Sequence, residues 1–332
     1  MHNESVSARG GRAVRRRFLV TMAAAIAAVV VAAGCGSSHK ASSSATTVAP
    51  TTVAPATTAA PSTAAPSATT LPQGSGPVDV LYAASLEALM NSSIGPGFHT
   101  ATGYTFTGFP AGSTALASEI KSKVRQGDVF LSASPAVNAT LEGEKNGNWV
   151  TWYATFASSP LVLGYNPDSK FAADIKTKPW YESIIEPGLL VGRTDPAIDP
   201  KGKLTVTALN AAAVKQNEPQ LHAIATSTTN VFAEESLVAR LKAGQLDAGF
   251  FYASEAKAAG IPTVPLTGQA LKATYTVTVL NNAPHQAGGE AFVAYLLGPA
   301  TSILAANGYT LITPPTVSGS GVPSGLSSVL SG

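Results

Sequence analysis

Cysteine is almost missing from this chain of 332 residues, which has one, Cys35. A lone thiol cannot close an internal disulfide or build a multi-thiolate zinc site. Charge is sparse too: Asp, Glu, Lys and Arg make up 12% of the residues, with no dense run of either sign. The formal net charge of +2 hides an imbalance, because residues 1–34 hold five arginines and one glutamate. Beyond them stand 16 of the 21 basic and 18 of the 19 acidic residues, a net −2. That excludes the basic excess of a nucleic-acid-binding protein. An anion site here must be built locally, from oriented dipoles. Histidine is scarce: His2 and His39 lie near the N-terminus, and His99, His222 and His285 fall in no recognisable motif. There is no Gly-x-Ser-x-Gly elbow and no His-Glu-x-x-His pair. A secreted serine hydrolase using Ser85 or Ser113 therefore lacks a recognisable base, and an enzyme is the disfavoured reading.

What is present begins with an export signal. Arg15, Arg16 and Arg17 precede Phe18-Leu19, and an apolar run from Met22 to Ala33 ends in small residues before Cys35. A basic segment, a short apolar core and small residues form a secretory signal. The core falls well short of the roughly 20 residues that span a bilayer. Val31-Ala32-Ala33-Gly34-Cys35 resembles a bacterial lipobox, with Ala32 where Leu is usual. Arg15-Arg16-x-Phe18-Leu19 resembles the twin-arginine motif, with Val14 in place of Ser or Thr. We expect residues 1–34 to be a signal peptide and Cys35 to carry lipid, anchoring the protein to the outer face of the cytoplasmic membrane. Residues 35–76 are rich in Ala, Thr, Ser and Pro and have too little apolar surface to offset the entropy of ordering. They read as a tether. The Ser- and Gly-rich residues 315–332 are expected to form a loose tail.

Between these segments the pattern is α/β. Val78–Tyr82, Asp128–Leu131, Leu161–Tyr165, Gly188–Gly192, Asp247–Tyr252 and Tyr275–Leu280 read as strands. Helices are expected after Gly112, with Leu116, Ile120 and Val124 on one face, from about Gly202, over Glu234–Lys242, and over Gly289–Leu297. Alternation of this kind implies parallel sheets with helices on both faces. Ligands then sit beyond the carboxyl ends of the strands, where helix N-termini point. Ser85, and Ser113 with Thr114, fall at two such junctions. Taken alone, they are either helix N-caps or anion donors.

The ordered stretches Tyr82-Ala83-Ala84-Ser85-Leu86, Gly112-Ser113-Thr114-Ala115-Leu116-Ala117, Gln126 to Ala133, Phe156 to Leu163, Lys178-Pro179-Trp180-Tyr181, Gly192 to Gly202 and Leu241 to Tyr252 carry a resemblance. From about Val78 to Pro314 the chain resembles the molybdate/tungstate-binding family of periplasmic binding proteins, close to its tungstate-type branch. The resemblance implies a type II fold, two α/β lobes with two crossovers: lobe one at 77–157 plus 275–314, lobe two at 158–274. It implies an extracytoplasmic solute-binding lipoprotein of an ABC importer, monomeric, without cofactor, delivering molybdate or tungstate to a permease and ATPase complex. It assigns the anion to Ser85 and Ser113, with Thr114 beside them, to backbone N–H groups near Lys201 and Glu234, and to Tyr252. In part of that branch two carboxylates complete a six-coordinate metal. Asp199 matches one, but Phe251 stands where the other would be, so six-coordination by the same pair is not expected. Asp199 is then itself a ligand, accepts bonds from the anion's surroundings, or pairs with Lys201 or Arg193. Arg193 is a structural ion-pair partner or an anion ligand. Rival readings are the same fold holding sulfate, thiosulfate, phosphate or an organic anion, and a sensory or surface binding protein without transport. Ferric iron is disfavoured, because sites of that kind use adjacent tyrosines and the chain has no Tyr-Tyr pair.

Overall fold

The computed structural model describes residues 71–331. The signal segment 1–34, Cys35 and the tether as far as residue 70 lie outside the described residues. Ten strands are present among the described residues: β1 (Pro77–Ala83), β2 (Thr105–Ala111), β3 (Val129–Ser132), β4 (Trp152–Tyr165), β5 (Val191–Thr194), β6 (Val231–Phe232), β7 (Ala248–Tyr252), β8 (Thr263–Pro265), β9 (Lys272–Val279) and β10 (Thr310–Gly319). The helices that matter for the site are α1 (Ser113–Lys121), α2 (Pro200–Gln216), α3 (Pro219–Thr226), α4 (Glu234–Lys242), α5 (Ala253–Ala259) and α6 (Gln286–Leu297).

The strands run in the order β2-β1-β3-β9-β4-β7-β5-β6, with β8 and β10 pairing on β4. β1 pairs in parallel with β2 and β3, and β5 in parallel with β6 and β7. The sheet is not purely parallel, as the alternation of elements had implied. β9 runs antiparallel to β3, and β4 runs antiparallel to β9, β7, β8 and β10. The reason is that β4 belongs to both halves. Its residues up to Pro160 pair with β9, and Leu161–Tyr165 pair with β7. One half thus gathers β1, β2, β3, β9 and β10 around the first part of β4, and the other gathers β5 to β8 around its end.

Side-chain alternation explains the layers. In β1, Val78, Val80 and Tyr82 enter the main core with Phe98 and Phe292, while Leu81 points the other way onto Leu116, Ile120 and Phe130. Both faces of β1 are covered, as a central parallel strand requires. In the second half, Leu237 and Leu241 of α4 pack on Val162 and Phe251 at helical spacing. Residues 315–331 are not a loose tail. β10 continues to Gly319 along β4, with Thr316 opposite Thr155 and Gly319 opposite Trp152. Leu326 and Leu330 are then buried in the main core, where the C-terminal turns lie against α6. An open edge on β4 and three apolar side chains, Leu326, Val329 and Leu330, outweigh the polar composition.

Candidate functional site

Each expected site residue lies where a strand ends and a helix or turn begins. β1 ends at Ala83 and runs into a 3-10 turn, Ala84–Leu86, that carries Ser85. β2 ends at Ala111, and Gly112 precedes α1 with Ser113 and Thr114 in its first turn. β5 leads through residues 195–199 into α2, β6 into α4 at Glu234, and β7 into α5 just after Tyr252. The two halves bring these junctions together: the Glu234 carboxylate in the second half accepts the Ala84 N–H of the first at 3.0 Å. The Ala115 N–H donates across to the Ile198 carbonyl at 3.0 Å.

The serines are not helix caps. Gly112, not Ser113, is the N-cap of α1, and neither turn has a side-chain cap. Ser85 is buried, with the Tyr275 hydroxyl donating to its Oγ at 3.1 Å. Ser113 is buried and accepts the Ala133 N–H at 3.1 Å, which leaves its own hydroxyl proton to donate. Thr114 Oγ1 is buried with no hydrogen-bond partner.

In the second half, Asp199 caps α2. Its Oδ1 accepts the Lys201 N–H at 3.1 Å, ahead of Pro200 at the first helical position. The Lys201 amide, which the resemblance assigns to the anion, is therefore engaged by Asp199. The other Asp199 oxygen, Oδ2, is buried and unpartnered. The Lys201 side chain is fully buried, 2.8 Å from both Glu255 carboxylate oxygens and 3.2 Å from Glu234 Oε1. The last contact has ion-pair distance without hydrogen-bond geometry. Glu255 also accepts the Tyr252 N–H at 3.2 Å. The Tyr252 hydroxyl is buried and unpartnered, and its ring meets Tyr275 edge-on at 6.1 Å. Beside this cluster a groove of about 380 Å³ is lined by Ser85, Glu87 and Asn91 on one side and Glu234, Val238 and Lys242 on the other.

Three carboxylates thus surround one ammonium. Burial pushes Asp199 above the ordinary aspartate range, with Lys201 pulling the other way. Burial, reinforced by the Asp199 charge, pushes Glu234 well up. Burial raises Glu255 despite its contact with Lys201. Burial would lower Lys201, but Glu255, Glu234 and Asp199 outweigh it and hold the ammonium charged. Because that ammonium sits where Glu234 and Glu255 converge, the two carboxylates do not form an open cage for a metal cation. The hydroxyls of Ser113, Thr114 and Tyr252 and the helix N-termini are the donors such a site offers to an anion.

Arg193 takes no part in this. Its guanidinium donates to the Ala225 and Ser227 carbonyls at 3.0 and 2.7 Å and to the Thr194 carbonyl at 3.1 Å, clamping the end of α3. It forms no ion pair among the described residues, so the structural ion-pair reading is replaced by a helix clamp. Sequence reasoning missed Glu255 and Tyr275. Glu255 carries a readable signal, as the third helical residue after a strand end. Tyr275 carries none, because its partner is 190 positions away. A separate cluster, Asp79, Asp128 and His285, brings one ligand atom from each residue within 4.8 Å. Asp128 already accepts the Asp79 and His285 N–H groups at 2.7 and 2.6 Å, which gives it a structural role.

Comparison with known proteins agrees with this architecture. The chain is 31% identical over 191 residues to a Haloferax volcanii protein provisionally named an ABC transporter molybdenum-binding protein; the match covers 57% of this chain and 59% of that one. It is 24% identical over 225 residues to the molybdate/tungstate-binding protein WtpA of Thermococcus kodakarensis, covering 52% of this chain and 64% of the relative. The chain thus spans somewhat under two thirds of the length of these two relatives. Among solved structures, the periplasmic molybdate-binding protein of Azotobacter vinelandii superposes with a TM-score of 0.55 at 18% identity, covering 71% of this chain and 99% of that one. That likeness establishes the fold, the two-lobed type II architecture of periplasmic binding proteins. Residues 78–310 match the family model described as bacterial extracellular solute-binding protein, and the chain belongs to that family, whose members bind solutes and are not enzymes.

Proposed function

We propose that this protein is the lipid-anchored, extracytoplasmic receptor of an ABC importer, and that its solute is a tetrahedral oxyanion of the molybdate and tungstate class. The observation that carries the reading is the meeting of strand-to-helix junctions from both lobes around buried hydroxyls, several of which, those of Thr114 and Tyr252 among them, have no protein partner. A dehydrated dianion needs several such donors, and hydrogen bonds to a charged acceptor are the strong ones. The names of the two relatives point to the same solute class. Ser85 and Ser113 from lobe one, and the start of α2, the start of α4 and Tyr252 from lobe two, face the anion. Asp199 and Glu234 act as acceptors around it. That pair of buried carboxylates also favours a second reading, an oxyanion that carries a proton of its own, such as phosphate.

Ligand-dependent thermal unfolding tests the reading. A solute present at about one hundred times its Kd stabilises the folded state by about 2.7 kcal/mol. Molybdate and tungstate should raise the transition and sulfate should not; stabilisation by phosphate alone would favour the second reading. The anchor is tested separately. Cys35→Ser should move the protein out of the membrane fraction, and its retention there would remove the lipid from the account.

A further inference from the structure

The lobes touch at a point where no side chain intervenes. Gly112, the residue before α1, has φ −57° and ψ 132°, a conformation open to any residue. Backbone freedom therefore does not explain a glycine here. Space does. A β-carbon at Gly112 would stand 2.6 Å from the Ile198 carbonyl oxygen, 3.3 Å from its carbon and 3.1 Å from Asp199 Cβ. These are the nearest atoms it would meet, and all belong to the opposite lobe. Two of the three are backbone, which cannot swing aside. Three residues on, the Ala115 N–H donates to that same Ile198 carbonyl at 3.0 Å. The first turn of α1 is thus docked on the segment that enters α2. The residues following Gly112 are Ser113 and Thr114, and the residue following Ile198 is Asp199, whose Oδ2 is buried and unpartnered.

We propose that Gly112 is a positioning residue for lobe closure: its missing side chain lets the start of α1 reach the Ile198–Asp199 backbone and so brings the hydroxyls of lobe one against the donors of lobe two. The inference rests on the proposed function only for the identity of the solute, since the contact itself lies between backbones. Gly202 supplies the contrast. A β-carbon there would meet the Thr194 oxygen, the Asp195 carbon and the Pro196 nitrogen at 2.6 Å, all within its own lobe. Substitution at Gly202 should damage folding; substitution at Gly112 should leave each lobe intact and hold the two apart.

Distance measurement between the lobes tests this. Val124 in lobe one and Val214 in lobe two are 76% and 86% exposed, so cysteines at both positions accept spin labels without touching the core. The full chain carrying Cys35→Ser, Val124→Cys and Val214→Cys is compared with the same chain bearing Gly112→Ala or Gly112→Val, by double electron–electron resonance with and without molybdate. The expected result is a longer inter-lobe distance in the order Gly, Ala, Val. Molybdate affinity should fall by about tenfold or more with Ala, by the conversion of about 1.4 kcal/mol per decade. The thermal midpoint without solute should fall far less than in Gly202→Ala. Distance distributions that superimpose for all three chains would overturn the proposal. A fall in the midpoint as large as that of Gly202→Ala would do so as well, because it would place the strain within a lobe. If the parent binds no oxyanion, the oxyanion reading fails, while the order of distances without solute still decides the closure contact.

Discussion

Replacing Lys201 with methionine should cost this protein far more than the loss of a surface charge. The ammonium is fully buried against both oxygens of Glu255 and beside Glu234, with Asp199 close by on the same helix start. Methionine fills a similar volume but leaves these carboxylates in the interior without a cation. Removing one partner of a buried ion pair typically costs about 3–5 kcal/mol. For a folded unit of this size each kcal/mol lowers the melting temperature by about 2–4 °C, so a fall of about 6–20 °C is expected. The loss should depend on pH in one direction. Without the cation, Glu234 and Glu255 fold most easily as neutral acids, so their folded pKa values rise further above the unfolded ones. A raised pKa means that the folded state holds more protons, and its stability is lost as pH climbs from the unfolded towards the folded value. Denaturant unfolding of Lys201→Met at about pH 5 and about pH 8 should therefore show the larger deficit at the higher pH. Adding Glu255→Gln should recover part of it, because the glutamine amide needs no counter-charge. A deficit below about 1 kcal/mol at the higher pH would be the size of an exposed pair, and would refute the account of the cluster as a buried, mutually dependent charge set.

Other perturbations separate the roles of neighbouring groups. Ser113→Ala and Ser85→Ala should each weaken molybdate binding by about 1–3 kcal/mol, the cost of a lost bond to a charged partner, in calorimetric titrations; unchanged affinity in both would confine these serines to their contacts with Ala133 and Tyr275. Arg193→Ala should lower stability by about 1–3 kcal/mol through the carbonyls it leaves unpaired at the end of α3, with solute affinity unchanged. Weakened binding at full stability would instead return Arg193 to the site. Oxyanion binding should weaken as pH rises. An anion beside Glu234, a group that burial already pushes well up, raises its pKa further, so the bound form holds more protons. The affinity should fall by at most about tenfold per pH unit, the limit for one proton, and an affinity that rises with pH would contradict the placement of the anion.

The parts of the fold that were legible in the sequence are those where local pattern and burial agree. β1 and β7 are short apolar runs, and α4 shows Leu237 and Leu241 at helical spacing. β2 has no legible strand pattern, because Gly108 and Pro110 interrupt it. Pro110 is tolerated there because β2 lies at the end of the strand order. Only the second part of β4 reads as a strand in the sequence, since Pro160 looks like a break. It is instead the point where the strand passes from one lobe's ladder to the other's. For the candidate site, the junction positions were visible, because small hydroxylated residues at strand ends have a local signature. The pairings were not. Lys201 meets Glu255 from 54 positions away, and Glu234 meets Ala84 from 150, separations over which a single sequence carries no pairing signal. The α2 start shows the same limit: the Asp-Pro-Lys-Gly pattern marks a capped helix, but not that the cap consumes the amide expected to face the anion.

Isothermal titration of the soluble Cys35→Ser protein with molybdate, tungstate, sulfate and phosphate tests the central claim most directly. The account expects one-to-one binding of molybdate and tungstate with a shared site, so that saturation with either abolishes heat from the other, and little response to sulfate. No heat with any of the four, or preference for sulfate over molybdate, would contradict it.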